Sequence, residues 1–222
     1  MSAYNKIYPA IWFYLLLAVF SRAAAQPVTV VRIHYGGGGD WYGNKTTWKN
    51  ILSRAGQDLG IETQPREVFY RIGDPEFEKY PIAYIAGHGN ISFSDAEAAA
   101  LRVYLTAGGF LIADDDFGMD ISFRREMKKV FPELNFVELP FAHPIYHCHF
   151  RFDRGLPKIH EHAGGPAKGL GLIYEGRLVC FYSLNTDLSD GCEDADIHND
   201  PPEVREQALR MALNILLFAL LN

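Results

Sequence analysis

Cysteine is scarce. Cys148, Cys180 and Cys192 are odd in number and lack C-x-x-C spacing, which excludes a thiolate zinc ribbon and a disulfide-built scaffold. One bridge in an oxidising compartment stays open, with no pair that spacing can name. Positive charge is also short: 21 Lys+Arg stand against 27 Asp+Glu, a net charge of −6. A surplus of that sign disfavours nucleic acid and anionic membrane surfaces as partners. No repeat, low-complexity tract or linker rich in Gly, Pro or Ser divides the chain. With 222 residues, 48% of them hydrophobic, one domain with one sizeable core is expected.

Long apolar runs are absent except near the start. Lys6, the run Ile7 to Phe20, and SRAAAQ with Ala23 and Ala25 have the layout of an export signal over residues 1–25. The run falls short of the ~20 residues that span a bilayer, which disfavours the alternative of an uncleaved anchor. No Cys follows it, so a lipid anchor is not expected. Without Lys6 and Arg22 the mature chain carries 19 basic against 27 acidic residues, a net −8. The expectation is an exported protein, periplasmic or secreted, that contacts the membrane only through the signal segment.

Strand and helix signals alternate along the remainder. VTVVRIHY (Val28 to Tyr35) is a β-branched run halted by four glycines, and Trp48, Ile51, Leu52, Ala55 and Leu59 then fall at helical spacing. EVFY and PIAYIAG read as further strands. Ser94 with Glu97 three residues on forms a capping box at a helix start. GGFLIA is a buried strand running into DDDFGMD, SFRREMKKVF an amphipathic helix, and NFVEL another strand. GLIY and LVCFYS flank EGR as an antiparallel edge hairpin. A last helix is expected from Pro201, capped by Asp200; Arg210 and Asn214 interrupt its apolar tail, which reads as packed rather than membrane-spanning. This order predicts an α/β fold with a mostly parallel sheet, because parallel neighbours need crossover helices.

Ligands of such sheets bind beyond the carboxyl ends of the strands. The predicted strands empty there into GGGGDWYGN, GHGN, DDDFGMD and PFAHPIYHCH, all expected on one edge. Gly37 and Gly38, with amides ahead of a helix, suit an anion or carbonyl ligand; a ligand-free tight turn is the alternative. Asp40 and Trp41 beside them suit a sugar or peptide, and equally a cap with its packing. Asp114, Asp115 and Asp116 repel one another, so at least one is paired, hydrogen-bonded or held protonated. They are candidates for a general base or metal ligand, against a cap with two solvated neighbours. His88, between glycines at a strand end, is a candidate base.

Five of the eight histidines lie between Leu139 and His162. Residues two apart in an extended segment share a face, so His147 with His149, and His160 with His162, present paired imidazoles. His147, His160 and His162 are candidate ligands of a divalent transition metal; His143 joins the catalytic candidates. The alternative is a hydrogen-bonded cluster without metal. The acidic loop Asp187 to Asp200 lacks EF-hand spacing and reads as a solvated surface, with His198 a candidate ligand-binding residue.

The blocks GGGGDWY, YPIAYIAGHGNISFSDAE, LRVYLTAGGFLIADDDFGMDISFRREMKKVFPE, HPIYH, GLPKIHEH, YEGRL and HNDPPEVREQALRM resemble a bacterial family known as domain of unknown function 4159. That family is similar to class I glutamine amidotransferase-like domains. The resemblance implies a flavodoxin-like three-layer sandwich and supplies no reaction. Amidotransferases place a nucleophilic Cys after the strand equivalent to GGFLIA; here Asp114 and Asp115 occupy that turn, so glutaminase chemistry is not expected. Two readings follow. One is a hydrolase of an envelope saccharide or peptide that uses His88, Asp114, Asp115 and His143, with or without a metal. The other is a module that binds a small molecule, saccharide, peptide or envelope protein without turnover.

Overall fold

In a computed structural model, residues 26–162 and 164–222 are described; the export-signal expectation falls outside them. Among the described residues, seven strands form one sheet in the order β2-β1-β3-β4-β7-β6-β5. β1 (Val31–Ile33), β2 (Val68–Tyr70), β3 (Ile82–His88), β4 (Phe110–Phe117) and β7 (Arg177–Leu184) run parallel. β6 (Lys168–Tyr174) is antiparallel to both β7 and the two-residue edge strand β5 (Val137–Glu138). The hairpin expected at an edge is therefore β6–β7 with β5 added outside it. This is the mixed α/β, flavodoxin-like sandwich that strand alternation and family resemblance imply.

The period of two along each strand sorts side chains onto two faces. Ile82, Tyr84, Phe110 and Ile112 meet α1 (Thr47–Leu59) and α5 (Pro202–Leu221) in one core. Ala83, Ile85, Leu111 and Ala113 meet α2 (Asp95–Thr106) and α3 (Asp120–Val130) in the other. The Ser94–Glu97 capping box forms as expected, and Gly60 ends α1 in the left-handed region. α5 buries Met211, Leu213, Asn214 and Leu216 against the domain. Among the described residues, no helix is long and apolar enough to cross a membrane. All three cysteines are free thiols, with Cys180 and Cys192 buried.

Helices α1 and α5 are clasped by charge. Arg54 donates to both Glu206 oxygens at 2.9 and 3.1 Å, and Arg210 donates at 2.7 Å. These bonds hold the Glu206 carboxyl down to about 2 from an ordinary 4.5. A depressed carboxyl contributes stability above its unfolded pKa and loses it as pH falls through the folded one. Glu206→Gln should therefore flatten the loss of stability between pH 4.5 and 2, by up to ~1 kcal/mol for a pair this exposed. Denaturant midpoints across that window measure it.

Candidate functional site

Strand alternation continues past the apolar part of β4, so Asp114 and Asp116 fall on the α1/α5 face and Asp115 on the other. None of the three is solvated: they are 2%, 7% and 1% exposed in chain order. Asp115 accepts the Met119 N–H at 3.0 Å and ties β4 to the start of α3. A bulge opposite Gly87 and His88 leaves Asp116 without a partner in β3.

Asp114 accepts from the Ser183 hydroxyl and from the Ser189 N–H at 2.7 Å. The Ser189 hydroxyl lies 2.6 Å from Asp114 Oδ2 and 2.7 Å from Asp116 Oδ1. One hydroxyl proton cannot serve two carboxylates, so one carboxyl carries a proton of its own. Burial raises both groups, and Asp116, which also feels the Asp114 charge, is the one held protonated. Asn44 Nδ2 stands 3.1 Å from Asp116 Oδ2, 2.8 Å from Ser189 Oγ and 2.8 Å from Asp190 Oδ1, which joins the set to the loop after β7.

Arg32 on β1 places Asn44. The guanidinium donates to the carbonyls of Trp41 (3.2 Å) and Asn44 (3.0 Å) and pairs with Glu67 at 2.8 Å. Burial pushes the Glu67 carboxyl up although Arg32 draws it down, while Arg32 itself is raised. The two directions favour opposite states of the pair. Four well-aligned guanidinium contacts, including the cation–π approach at 4.8 Å over Tyr84, are those of a charged pair, and on that geometry Glu67 is ionised.

The acidic loop after β7 is solvated only in its second half, where Asp196 is exposed. Asp187, Asp190 and Glu193 are buried, and Asn185 and Asp187 take positive φ to fold inward. The segment entering β6 runs beside it through Ile159 N–H to Thr186 O. This brings His160 and His162 to the carboxylates: His162 Nε2 lies 2.6 Å from Asp187 Oδ2, and His160 Nδ1 lies 3.5 Å from Asp187 Oδ2 and 3.3 Å from Asp190 Oδ2. Asp200, expected as a helix cap, instead receives His160 Nε2 at 2.9 Å, and Pro201 occupies the cap position. His198 bonds Glu193 at 2.9 Å and stands 3.9 Å from Asp190 Oδ1. Burial, with Asp114 and Asp190 nearby, pushes Asp187 up to about 7. The triads His160–His162–Asp187 and His160–Asp190–His198 have ligand atoms close enough to hold one ion each.

His88 is clamped rather than free. Asp40 accepts its backbone N–H through Oδ1 and its Nδ1 through Oδ2 at 3.0 Å. The glycines ahead of Asp40 serve close packing: Asn90 Nδ2 donates to Gly37 O, and Gly39 N–H donates to Asn90 O. Gly38 is exposed. Trp41 stacks on His34 at 4.0 Å beside the exposed Tyr42 and Phe69.

His143 and His147 are not brought to this edge. Ile145 and Tyr146 are buried, and Asn214 on α5 bonds His149 N–H, Phe150 N–H and Phe150 O, which pins the segment over that helix. His143 accepts the Ile145 N–H and packs on Phe218, where burial lowers its imidazole. His147 Nε2 lies 2.7 Å from Phe141 O, beside an open hollow of about 520 Å³. Neither bonds any member of the carboxylate cluster.

Asp187, Asp190 and Asp200 are the site residues that acidic composition concealed. Their signal was the pairing of His-x-His with Asp-x-x-Asp, two spacings too short to name a site alone. No curated protein matches the chain. Residues 29–220 match the family described as Domain of unknown function (DUF4159), and on that match over most of its length the chain belongs to this family.

Proposed function

We propose that the protein is an exported hydrolase of an envelope saccharide or peptide, with His88 as general base and Asp40 as its positioning residue. The observation that carries this reading is the double clamp of Asp40 on His88. An ionised carboxylate only accepts hydrogen bonds, so it fixes the proton on Nδ1 and leaves the Nε2 lone pair to take a proton from water. The His88 side chain is 51% exposed, which gives that nitrogen access to substrate. The buried Asp114–Ser189–Asp116 set is tied into the same edge through Asn44 and holds the loop after β7 in place. Export rests on the layout of residues 1–25.

Recognition without turnover is the second reading, favoured by the aromatic cluster of half-buried Trp41 with the exposed Tyr42 and Phe69. Hydrolysis of 4-nitrophenyl esters, 4-nitrophenyl glycosides and purified peptidoglycan by residues 26–222 decides between them. His88→Gln should lower turnover by about 10²–10⁴-fold, the usual worth of a general base, and Asp40→Asn should lower it less. Equal turnover by His88→Gln overturns the assignment. No turnover of any probe, with peptidoglycan retention that Trp41→Ala abolishes, establishes the recognition reading instead.

A further inference from the structure

We infer that the edge holds a mononuclear site for a divalent transition-metal ion, with His160 Nδ1, His162 Nε2 and the carboxylates of Asp187 and Asp190 as ligands. The inference begins with Asp187 Oδ2. This oxygen belongs to a residue 3% exposed and accepts no hydrogen bond from any described residue, although His162 Nε2 is 2.6 Å away. The nitrogen stands off the hydrogen-bond line, so this buried oxygen is left without a donor and faces an imidazole that could share a cation with it. Ligands about 2.1 Å from a metal stand about 3.0–3.4 Å apart around it. The His160 Nδ1 contacts at 3.3 and 3.5 Å lie close to that spacing, and an ion between His162 and Asp187 would open their shorter contact toward it.

A carboxylate behind the imidazole supports the same assignment. Asp200 Oδ1 takes the Nε2 side of His160 at 2.9 Å and so turns the lone pair of Nδ1 toward Asp187 and Asp190. This carboxylate–histidine pairing is the usual support of a metal-bound imidazole. Charge points the same way: Asp187, Asp190, Glu193 and Asp200 surround three imidazoles, and a divalent cation offsets the surplus of buried negative charge.

One ion is inferred, not two. His160 Nδ1 has one lone pair, so the two triads that share His160 describe one centre, with His198 at its border and held by Glu193. Nitrogen with carboxylate oxygen, and no thiolate, suits Zn²⁺, Mn²⁺, Fe²⁺ or Ni²⁺ over the all-oxygen sphere of Ca²⁺.

The site is tested on the untagged mature chain by elemental analysis, then by calorimetric titration of the chelator-stripped protein with Zn²⁺ and Co²⁺. About one equivalent is expected, with visible Co²⁺ bands from imidazole and carboxylate coordination. Asp187→Asn and His162→Ala should each weaken binding more than 100-fold, and Asp200→Asn by about 10–100-fold with stoichiometry retained. His147→Ala should change nothing. His162 is 43% exposed, so its variant reports if Asp187→Asn does not fold. A protein that takes up neither ion, or that keeps wild-type affinity in His162→Ala, overturns the site. None of these readouts involves turnover or His88, so a metal-free protein that still hydrolyses the probes would end this inference and leave the base assignment intact.

Discussion

Replacing Arg32 with Met is expected to destabilise the protein by about 3–5 kcal/mol, the range for breaking a buried ion pair from one side. Arg32 is 1% and Glu67 7% exposed, so the substitution strands a buried carboxylate without its counter-charge. It also frees the carbonyls of Trp41 and Asn44, which the guanidinium holds at 3.2 and 3.0 Å. The pair itself is not the source of net stability, because desolvating two charges offsets most of their attraction. Arg32→Met combined with Glu67→Leu should therefore recover most of the loss. Urea unfolding of both variants gives the comparison, provided the slope with denaturant is unchanged. A single variant within 1 kcal/mol of wild type would show that the loop after β1 does not depend on Arg32. Loss of the Asn44 anchor has a second consequence, since its amide bridges Asp116, Ser189 and Asp190.

Much of this architecture was legible from residue order because the governing signals are local. The period of Trp48, Ile51, Leu52 and Ala55 lies within one helix, and all four are buried there. The Ser94–Glu97 box spans four residues and forms both of its bonds. The placing of loops on one edge follows from parallel strands, and it holds for the expected segments after β1, β3 and β4 but not for PFAHPIYHCH, which follows the antiparallel edge strand β5; the loop after β7 takes its place.

What misled was polarity read without partners. The acidic loop looks solvated and two of the three aspartates could have been, yet Asp114, Asp116 and the first half of that loop face donors distant in sequence. Asp114 and Ser189 are 75 positions apart, and Asn44 and Asp190 are 146 apart. The histidine segment divides for a similar reason. His147 and His160 are alike in composition and context, but Asn214 pins the first over α5 while Thr186 holds the second beside the β7 loop. A pattern of imidazoles gives their spacing along the chain. Which backbone ties them down decides where they act.

Gly87→Ala is expected to lower stability by about 2–4 kcal/mol and to open the clamp on His88. The residue has φ 135°, where an L side chain is strained by about 1–3 kcal/mol. An added Cβ would also stand 2.5 Å from Tyr35 Oη and 2.8 Å from Asp40 Oδ1. Contacts that short force a neighbour to move, and such overpacking costs a further ~1–3 kcal/mol. Tyr35 has little freedom, since it is 3% exposed and its hydroxyl donates to Ala86 O. Asp40 is the group with room, its side chain being 36% exposed. Its displacement separates Oδ1 from the His88 N–H and Oδ2 from Nδ1. The hydrogen-bonded Nδ1 proton of His88 should then exchange faster and shift upfield in the NMR spectrum, with hydrolysis of the probe substrates falling in step. Metal uptake should stay at its wild-type level, because neither Gly87 nor Asp40 touches His160, His162, Asp187 or Asp190. A Gly87→Ala protein with unaltered stability and an unaltered His88 resonance would mean that the Asp40 loop yields without cost. In that case the clamp does not fix the imidazole, and the assignment of His88 as an oriented base fails with it.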